Sequence, residues 1–171
     1  AYGFDFAATF NFSIGNDVYN ANKIEYTTAY RSGNYRNMIT TMAVGKRWTN
    51  IDAEGKLVTD MAQLAAMNAT TTMWSPYMNS FRLTDWAIED GSFLRLNTLT
   101  LGYTLPDNLM KRVGITSLRF YATAYNVFCL TNYSGFDPEV STIRRTGLTP
   151  GVDYSAYPKS RQFVIGLNLN F

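Results

Sequence analysis

The sequence predicts an all-β fold: four antiparallel strands of a membrane-spanning barrel, joined by long loops that carry short helices. Three observations predict it. Four segments alternate apolar and small or polar residues, their connections run long, short, long, and the chain ends on an aromatic inside the last alternation. In that last segment Phe163, Ile165, Leu167, Leu169 and Phe171 fall on one face, while Gln162, Val164, Gly166, Asn168 and Asn170 fall on the other. Successive side chains of a strand point to opposite faces, so this strand has one apolar and one mostly polar side. A sheet in water explains the alternation, but termini normally fray into solvent. A barrel in a bilayer explains the terminal Phe171 as well, because lipid meets the apolar face and closure leaves no edge.

The other three strands follow from the same pattern. Phe4, Phe6, Ala8, Phe10, Phe12 and Ile14 alternate with Asp5, Ala7, Thr9, Asn11 and Ser13. Leu99, Leu101, Tyr103 and Leu105 alternate with Thr98, Thr100, Gly102 and Thr104, and Leu118, Phe120, Ala122 and Ala124 alternate with Arg119, Tyr121, Thr123 and Tyr125. A tilted membrane strand needs about 9–11 residues, which Phe4 to Ile14 supplies. The phase changes between Leu96 and Leu99, placing Phe93 to Leu96 past a bulge or above the bilayer.

Pro106 to Gly114 is a short link, whereas Gly15 to Gly91 and Asn132 to Lys159 are long. One rim of an antiparallel barrel carries tight turns and the other elaborate loops. With Phe171 at the periplasmic rim, both long segments lie outside and the short link lies in the periplasm. A connection as long as Gly15 to Gly91 calls for structure of its own. Leu57, Met61 and Leu64 form one helical stripe, with Asp60 and Gln63 placed to cap it, and Tyr35, Met38, Ile39 and Met42 form a weaker second stripe.

Composition is compatible with this fold and narrows the function. No apolar run approaches the roughly 18 residues of a spanning helix. Aromatics make up 15% of the chain, a surplus that the girdles of a barrel or a carbohydrate-binding sandwich consume. The net charge of +2 does not point to nucleic acid. Cys129 is the single cysteine, so no intrachain disulfide forms. Ala1 to Phe4 lacks the basic start and apolar core of a leader, so an exported protein is expected to carry its leader upstream. Four strands cannot close a barrel, which needs about eight. More chain is expected to join both edges.

Three ordered stretches carry a family resemblance. Trp86-Ala87-Ile88-Glu89-Asp90-Gly91-Ser92-Phe93-Leu94-Arg95-Leu96-Asn97-Thr98-Leu99-Thr100-Leu101-Gly102-Tyr103-Thr104-Leu105-Pro106 resembles a C-terminal signature of SusC/RagA-type TonB-dependent outer-membrane transporters. Asn132-Tyr133-Ser134-Gly135-Phe136-Asp137-Pro138-Glu139-Val140 and Asp153-Tyr154-Ser155-Ala156-Tyr157-Pro158-Lys159-Ser160-Arg161 resemble two more, and Gly15 to Asn20 is a looser fourth. The resemblance implies a plugged barrel of about 22 strands, with residues 1–171 as its C-terminal part and the plug and remaining strands elsewhere in the parent transporter. It also implies a SusD-like surface lipoprotein as lid, TonB as the energy source through an N-terminal region, and the outer membrane of a Gram-negative bacterium as location.

Each candidate site residue has a structural and a functional role to weigh. Trp48, Trp74, Trp86 and Tyr77 crowd the long loop with Tyr26, Tyr30 and Tyr35; aromatic faces stack on sugar rings, and the same residues fold loops. Arg119, Tyr121 and Tyr125 face the lumen, where they meet plug or solute. Phe171 resembles the assembly signal of outer-membrane barrels. Glu89-Asp90-Gly91 and Asp137-Pro138-Glu139 offer carboxylate pairs for acid/base work or calcium, but turn chemistry accounts for them more simply. The absence of histidine removes Ser-His and Cys-His nucleophile pairs and His metal sites, and no phosphate loop, G-x-S-x-G elbow or paired-cysteine zinc pattern occurs. Neither enzyme activity nor a cofactor is expected. Three functions remain: active import of an oligomeric glycan or peptide, passive diffusion through a porin, and carbohydrate binding by a sandwich. The ordered motifs favour the first.

Overall fold

A computed structural model describes residues 2–31, 33–77, 83–142 and 151–171. In chain order its elements are β1 (Phe4–Ser13), β2 (Asp17–Asn20), α1 (Ala21–Glu25), β3 (Tyr30–Arg31), β4 (Asn34–Tyr35) and α2 (Met61–Met67). After these come β5 (Ile88–Asp90), β6 (Phe93–Thr104), α3 (Asp107–Met110), β7 (Ser117–Thr131), β8 (Val152–Asp153) and β9 (Gln162–Asn170). The four long strands form one antiparallel sheet in the order β1-β6-β7-β9. They are the four segments that alternate with period two. Among the described residues no helix is long and apolar enough to cross a membrane.

Register sorts the sheet into two faces, because directly opposed residues of an antiparallel pair share a face. One face carries the rows Phe4·Tyr103·Phe120·Leu167, Phe6·Leu101·Ala122·Ile165 and Ala8·Leu99·Ala124·Phe163. The other carries Asp5·Gly102·Tyr121·Gly166, Ala7·Thr100·Thr123·Val164 and Thr9·Thr98·Tyr125·Gln162. The apolar face is uncovered: Phe6 is 69% exposed, Phe163 78% and Ile165 85%. A sandwich would bury those side chains against a second sheet.

The phase change between Leu96 and Leu99 is a bulge rather than the end of a strand. Thr9 pairs with Thr98 and Phe10 with Leu96, so Asn97 has no opposite residue on β1. On the other side Tyr125 pairs with Thr98 and Phe128 with Leu96, leaving Asn126 and Val127 opposite Asn97. Asn126 takes φ 51°, a left-handed conformation that asparagine tolerates better than most residues. Beyond the bulge β6 stays paired as far as Phe93, and β7 runs to Thr131, well past its predicted alternation.

The connections have structure of their own. The short link folds as α3 followed by a 3-10 turn, closed by Gly114 at φ 74°. In the first long segment Asp60 caps α2, its side chain accepting from the Gln63 backbone N–H at 2.8 Å. Leu57 lies outside that helix, bridged to Ile51, and Met61 is exposed, so the stripe does not face a core. The second predicted helical stripe is not a helix. Tyr35 pairs with Tyr30 across the β3–β4 hairpin, their rings 5.0 Å apart, and Thr40–Met42 is a 3-10 turn that buries Met42. A three-stranded sheet, β5-β2-β8, with β2 and β8 parallel, joins the two long segments; its strands of two to four residues are too short to leave an alternation in the sequence.

Candidate functional site

The most concentrated chemistry lies where β6 and β7 run past the bulge into the long connections. Arg95, on β6, is buried with its side chain 4% exposed, and its two terminal nitrogens are hydrogen-bonded while the buried Nε is only ion-paired. Nη2 lies 2.5 Å from Asp137 Oδ1, Nε lies 2.7 Å from Glu139 Oε2, and Nη1 donates to Asn126 Oδ1 at 2.7 Å. Lys159 adds a second cation, 2.8 Å from Glu139 Oε2 and 3.6 Å from Asp137 Oδ2. Two cations and two carboxylates thus balance. Arginine suits the position because its planar fork reaches several acceptors and stays charged when buried. Asp137 Oδ1 also accepts the Glu139 backbone N–H at 2.9 Å, so the turn chemistry of Asp137-Pro138-Glu139 is present too. Both carboxylates hold an arginine in place, which accounts for them without acid/base or calcium chemistry.

A second polar network sits on the small sheet. Buried Asn20 accepts the Lys23 backbone N–H at 3.1 Å, starting α1, and donates to Ser134 Oγ at 3.3 Å. Glu89 accepts from Ser134 N and Ser134 Oγ, both at 2.9 Å, and pairs with Lys23 Nζ at 3.1 Å. Burial pushes the Glu89 carboxyl up, but the Ser134 and Lys23 donors outweigh it and hold the pKa below the ordinary value. Asp153, 1% exposed, accepts from Tyr133 Oη at 2.7 Å and from Asn22 Nδ2 at 3.1 Å. Burial, followed by the bond to Asp153, pushes the Tyr133 phenol far above its ordinary value. Among the described residues no group of three or more His, Cys, Asp or Glu is placed to hold a metal ion.

The aromatics divide into two groups. Trp74 and Trp86 meet edge to face with centroids 5.1 Å apart. Trp74 Nε1 donates to buried Thr27 Oγ1 at 3.3 Å, and Lys23 Nζ sits 4.3 Å above the Trp86 ring. These two tryptophans hold the loop together. Trp48 and Tyr77 are exposed, and among the described residues no ring contact joins them to that pair. On the polar face of the sheet Arg119 grips Asp5 with two bonds, Nε to Oδ1 at 2.9 Å and Nη2 to Oδ2 at 2.6 Å, and stands 5.3 Å from the Tyr121 ring. A Cβ at Gly102 would strike the Asp5–Arg119 pair, and one at Gly166 would strike the Tyr121 ring. Tyr125 shares this face, and Phe171, 89% exposed, follows β9.

Sequence and fold both have known counterparts. No family model matches the chain. It is 29% identical over 171 residues to TonB-dependent receptor P39 of Formosa agariphila, an alignment covering 99% of this chain and 15% of that protein. It is 37% identical over 91 residues to TonB-dependent receptor SusC of Bacteroides thetaiotaomicron, covering 52% of this chain and 8% of the receptor. The solved RagAB peptide importer in its open-open state superposes with a TM-score of 0.68 at 25% identity, over 99% of this chain and 16% of that one. The chain resembles SusC/RagA-type TonB-dependent receptors in sequence and in fold alike. It spans only a small part of their length, between 8% and 16% in these three.

The SusC/RagA-type motifs turn out to be the knots of this structure. Arg95 comes from the first, Asp137 and Glu139 from the second, Lys159 from the third, and all four charges meet at one point. Asn20 of the looser fourth motif meets Glu89 of the first and Ser134 of the second. Sequence reasoning missed this convergence. A lone arginine inside an otherwise apolar strand start, Phe93-Leu94-Arg95-Leu96, was the signal available, since a buried cation demands carboxylate partners.

Proposed function

We propose that this chain is the C-terminal barrel part of a transporter that imports an oligomeric nutrient, a glycan or a peptide, across the outer membrane of a Gram-negative bacterium. TonB supplies the energy through the parent's N-terminal region, and a SusD-like lipoprotein lies over the loops. Residues 1–171 belong to one barrel of about 22 strands, whose remaining strands and plug complete it. The observation that carries this reading is the sheet itself, with one exposed apolar face and two outer strands that, among the described residues, are each paired on one side only. In hydrocarbon an unsatisfied backbone group costs several kcal/mol, so both edges require neighbouring strands.

Within that barrel the apolar rows meet lipid and the polar rows meet the lumen. Arg119, Tyr121 and Tyr125 line the wall against the plug. The long connections lie outside, where Trp48 and Tyr77 are free to stack on substrate while Trp74 and Trp86 support the loop. Phe171 serves as the assembly signal. The chain itself is not catalytic.

Uptake of labelled oligosaccharides and peptides by cells carrying or lacking the parent transporter, with and without TonB, tests the proposal. Uptake of one oligomer class that disappears without either protein is the expected result. Uptake that persists without TonB would instead make the parent a passive porin.

A further inference from the structure

The alternation of β9 fixes which face it presents but not its position along β7. A slip of one residue would turn every apolar side chain inward, whereas a slip of two leaves Phe163, Ile165, Leu167 and Leu169 on the same face. Registers two residues apart therefore have to be told apart by something other than hydrophobicity. One such feature is Gly166, which lies under the Tyr121 ring where a Cβ would collide; a slip of two brings Val164 or Asn168 to that place.

The second feature is the Arg95 cluster. Asn126, in the bulge of β7, donates from Nδ2 to Lys159 O at 3.0 Å and to Ser160 O at 3.3 Å, directly ahead of the Tyr125·Gln162 pair that opens the β7–β9 ladder. Its Oδ1 is held by Arg95 Nη1, which orients the amide. The Lys159 ammonium is tied to Glu139 and Asp137, which are themselves tied to Arg95. The backbone at 159–160 is thus gripped by a side chain whose own position depends on the 137–139 turn.

We propose that the Arg95–Asn126–Asp137–Glu139–Lys159 cluster is a register pin for the last strand. The pin requires the turn after β7 to have folded onto Arg95, so a loop at the rim decides how the final strand is laid down. The proposal rests on the barrel reading for its cellular setting, while the register itself can be measured directly.

Cysteine pairs in the parent transporter, in a Cys129→Ala background, make that measurement. Directly opposed residues of an antiparallel pair have Cα atoms about 4.5–5.5 Å apart, within disulfide reach. Neighbours displaced by two lie about 7–8 Å apart, largely beyond it. Ala124→Cys with Phe163→Cys therefore reports the native register, and Ala124→Cys with Ile165→Cys reports a slip of two. In outer-membrane material the native pair alone should cross-link. Asn126→Gly keeps the positive φ but removes the amide, and should shift cross-linking from the first pair toward the second. Lys159→Met should do so more weakly, and it serves as the measurement if Asn126→Gly does not assemble. Native-only cross-linking in whichever of these variants assembles overturns the pin. Lack of the native pair in the parent background overturns the register, whereas lack of the protein from the outer-membrane fraction overturns the barrel reading.

Discussion

In the four-stranded sheet the large apolar side chains are outside, whereas in the network at its end the charged ones are inside. Ile165 is 85% exposed, while Arg95 is 3% exposed and Asp153 1%. Either arrangement alone would be costly in water, since exposed apolar rows invite association and buried charges lose hydration. Together they show two regions held by different forces. The sheet relies on its backbone ladder and, as proposed, on a hydrocarbon surrounding. The network relies on its ion pairs and hydrogen bonds together with the buried apolar side chains around them, Val18, Ile24, Ala87, Leu96 and Tyr133.

The sharpest way to break this contrast is to unpair a buried charge. Arg95→Ala leaves Asp137 buried without its main partner and should destabilise the full-length protein by roughly 3–5 kcal/mol, read from its denaturant midpoint. Lys159, half exposed, should cost under about 1 kcal/mol when changed to Ala. Equal losses would remove burial as the reason for the cluster. In the sheet the corresponding change is Leu167→Arg, expected to cost roughly 2–4 kcal/mol near mid-bilayer, while Asn168→Arg on the opposite face is much milder. The fraction of heat-modifiable folded barrel measures both.

Smaller effects sharpen the picture of the network. Tyr133→Phe removes the hydroxyl donor from Asp153, leaving the Asn22 amide, and should cost about 1–3 kcal/mol in thermal midpoint measurements. The smallest effect is one of pH. Glu89 is held below its ordinary value of 4.5, so its ionised form stabilises the folded state above that pH, and the contribution fades as pH falls through the lowered value. Glu89→Gln should flatten the acid limb of a stability profile between neutral and acid pH. An unchanged limb would mean that the Ser134 and Lys23 bonds contribute nothing to stability.

The same contrast explains what was legible in the sequence. All four long strands could be read, because a sheet with two different surroundings has to alternate with period two, as Phe163 to Phe171 and Phe4 to Phe12 do. The bulge at Asn97 was also legible, as a phase change between Leu96 and Leu99. The small sheet was not, since β8 has two residues and pairs in parallel with a strand more than 130 positions away. Tyr35 to Met42 mimicked a helix because spacing cannot distinguish a hairpin and a 3-10 turn placed in succession. The charged cluster was hidden for a different reason. Asp137 and Glu139 carry ordinary turn chemistry locally, and their partner Arg95 lies about forty residues upstream, so only the fold brings them together.

The central claim, that the uncovered face of the sheet meets hydrocarbon, is tested most directly by nitroxide labels at two adjacent positions of β9. Leu167→Cys and Asn168→Cys, each in a Cys129→Ala background of the full-length protein in liposomes, carry the label on opposite faces. Oxygen dissolves in lipid and a nickel chelate stays in water. The label at 167 should be relaxed mainly by oxygen and the label at 168 mainly by the chelate or by neither. Chelate access to 167 equal to that of a surface loop would contradict it.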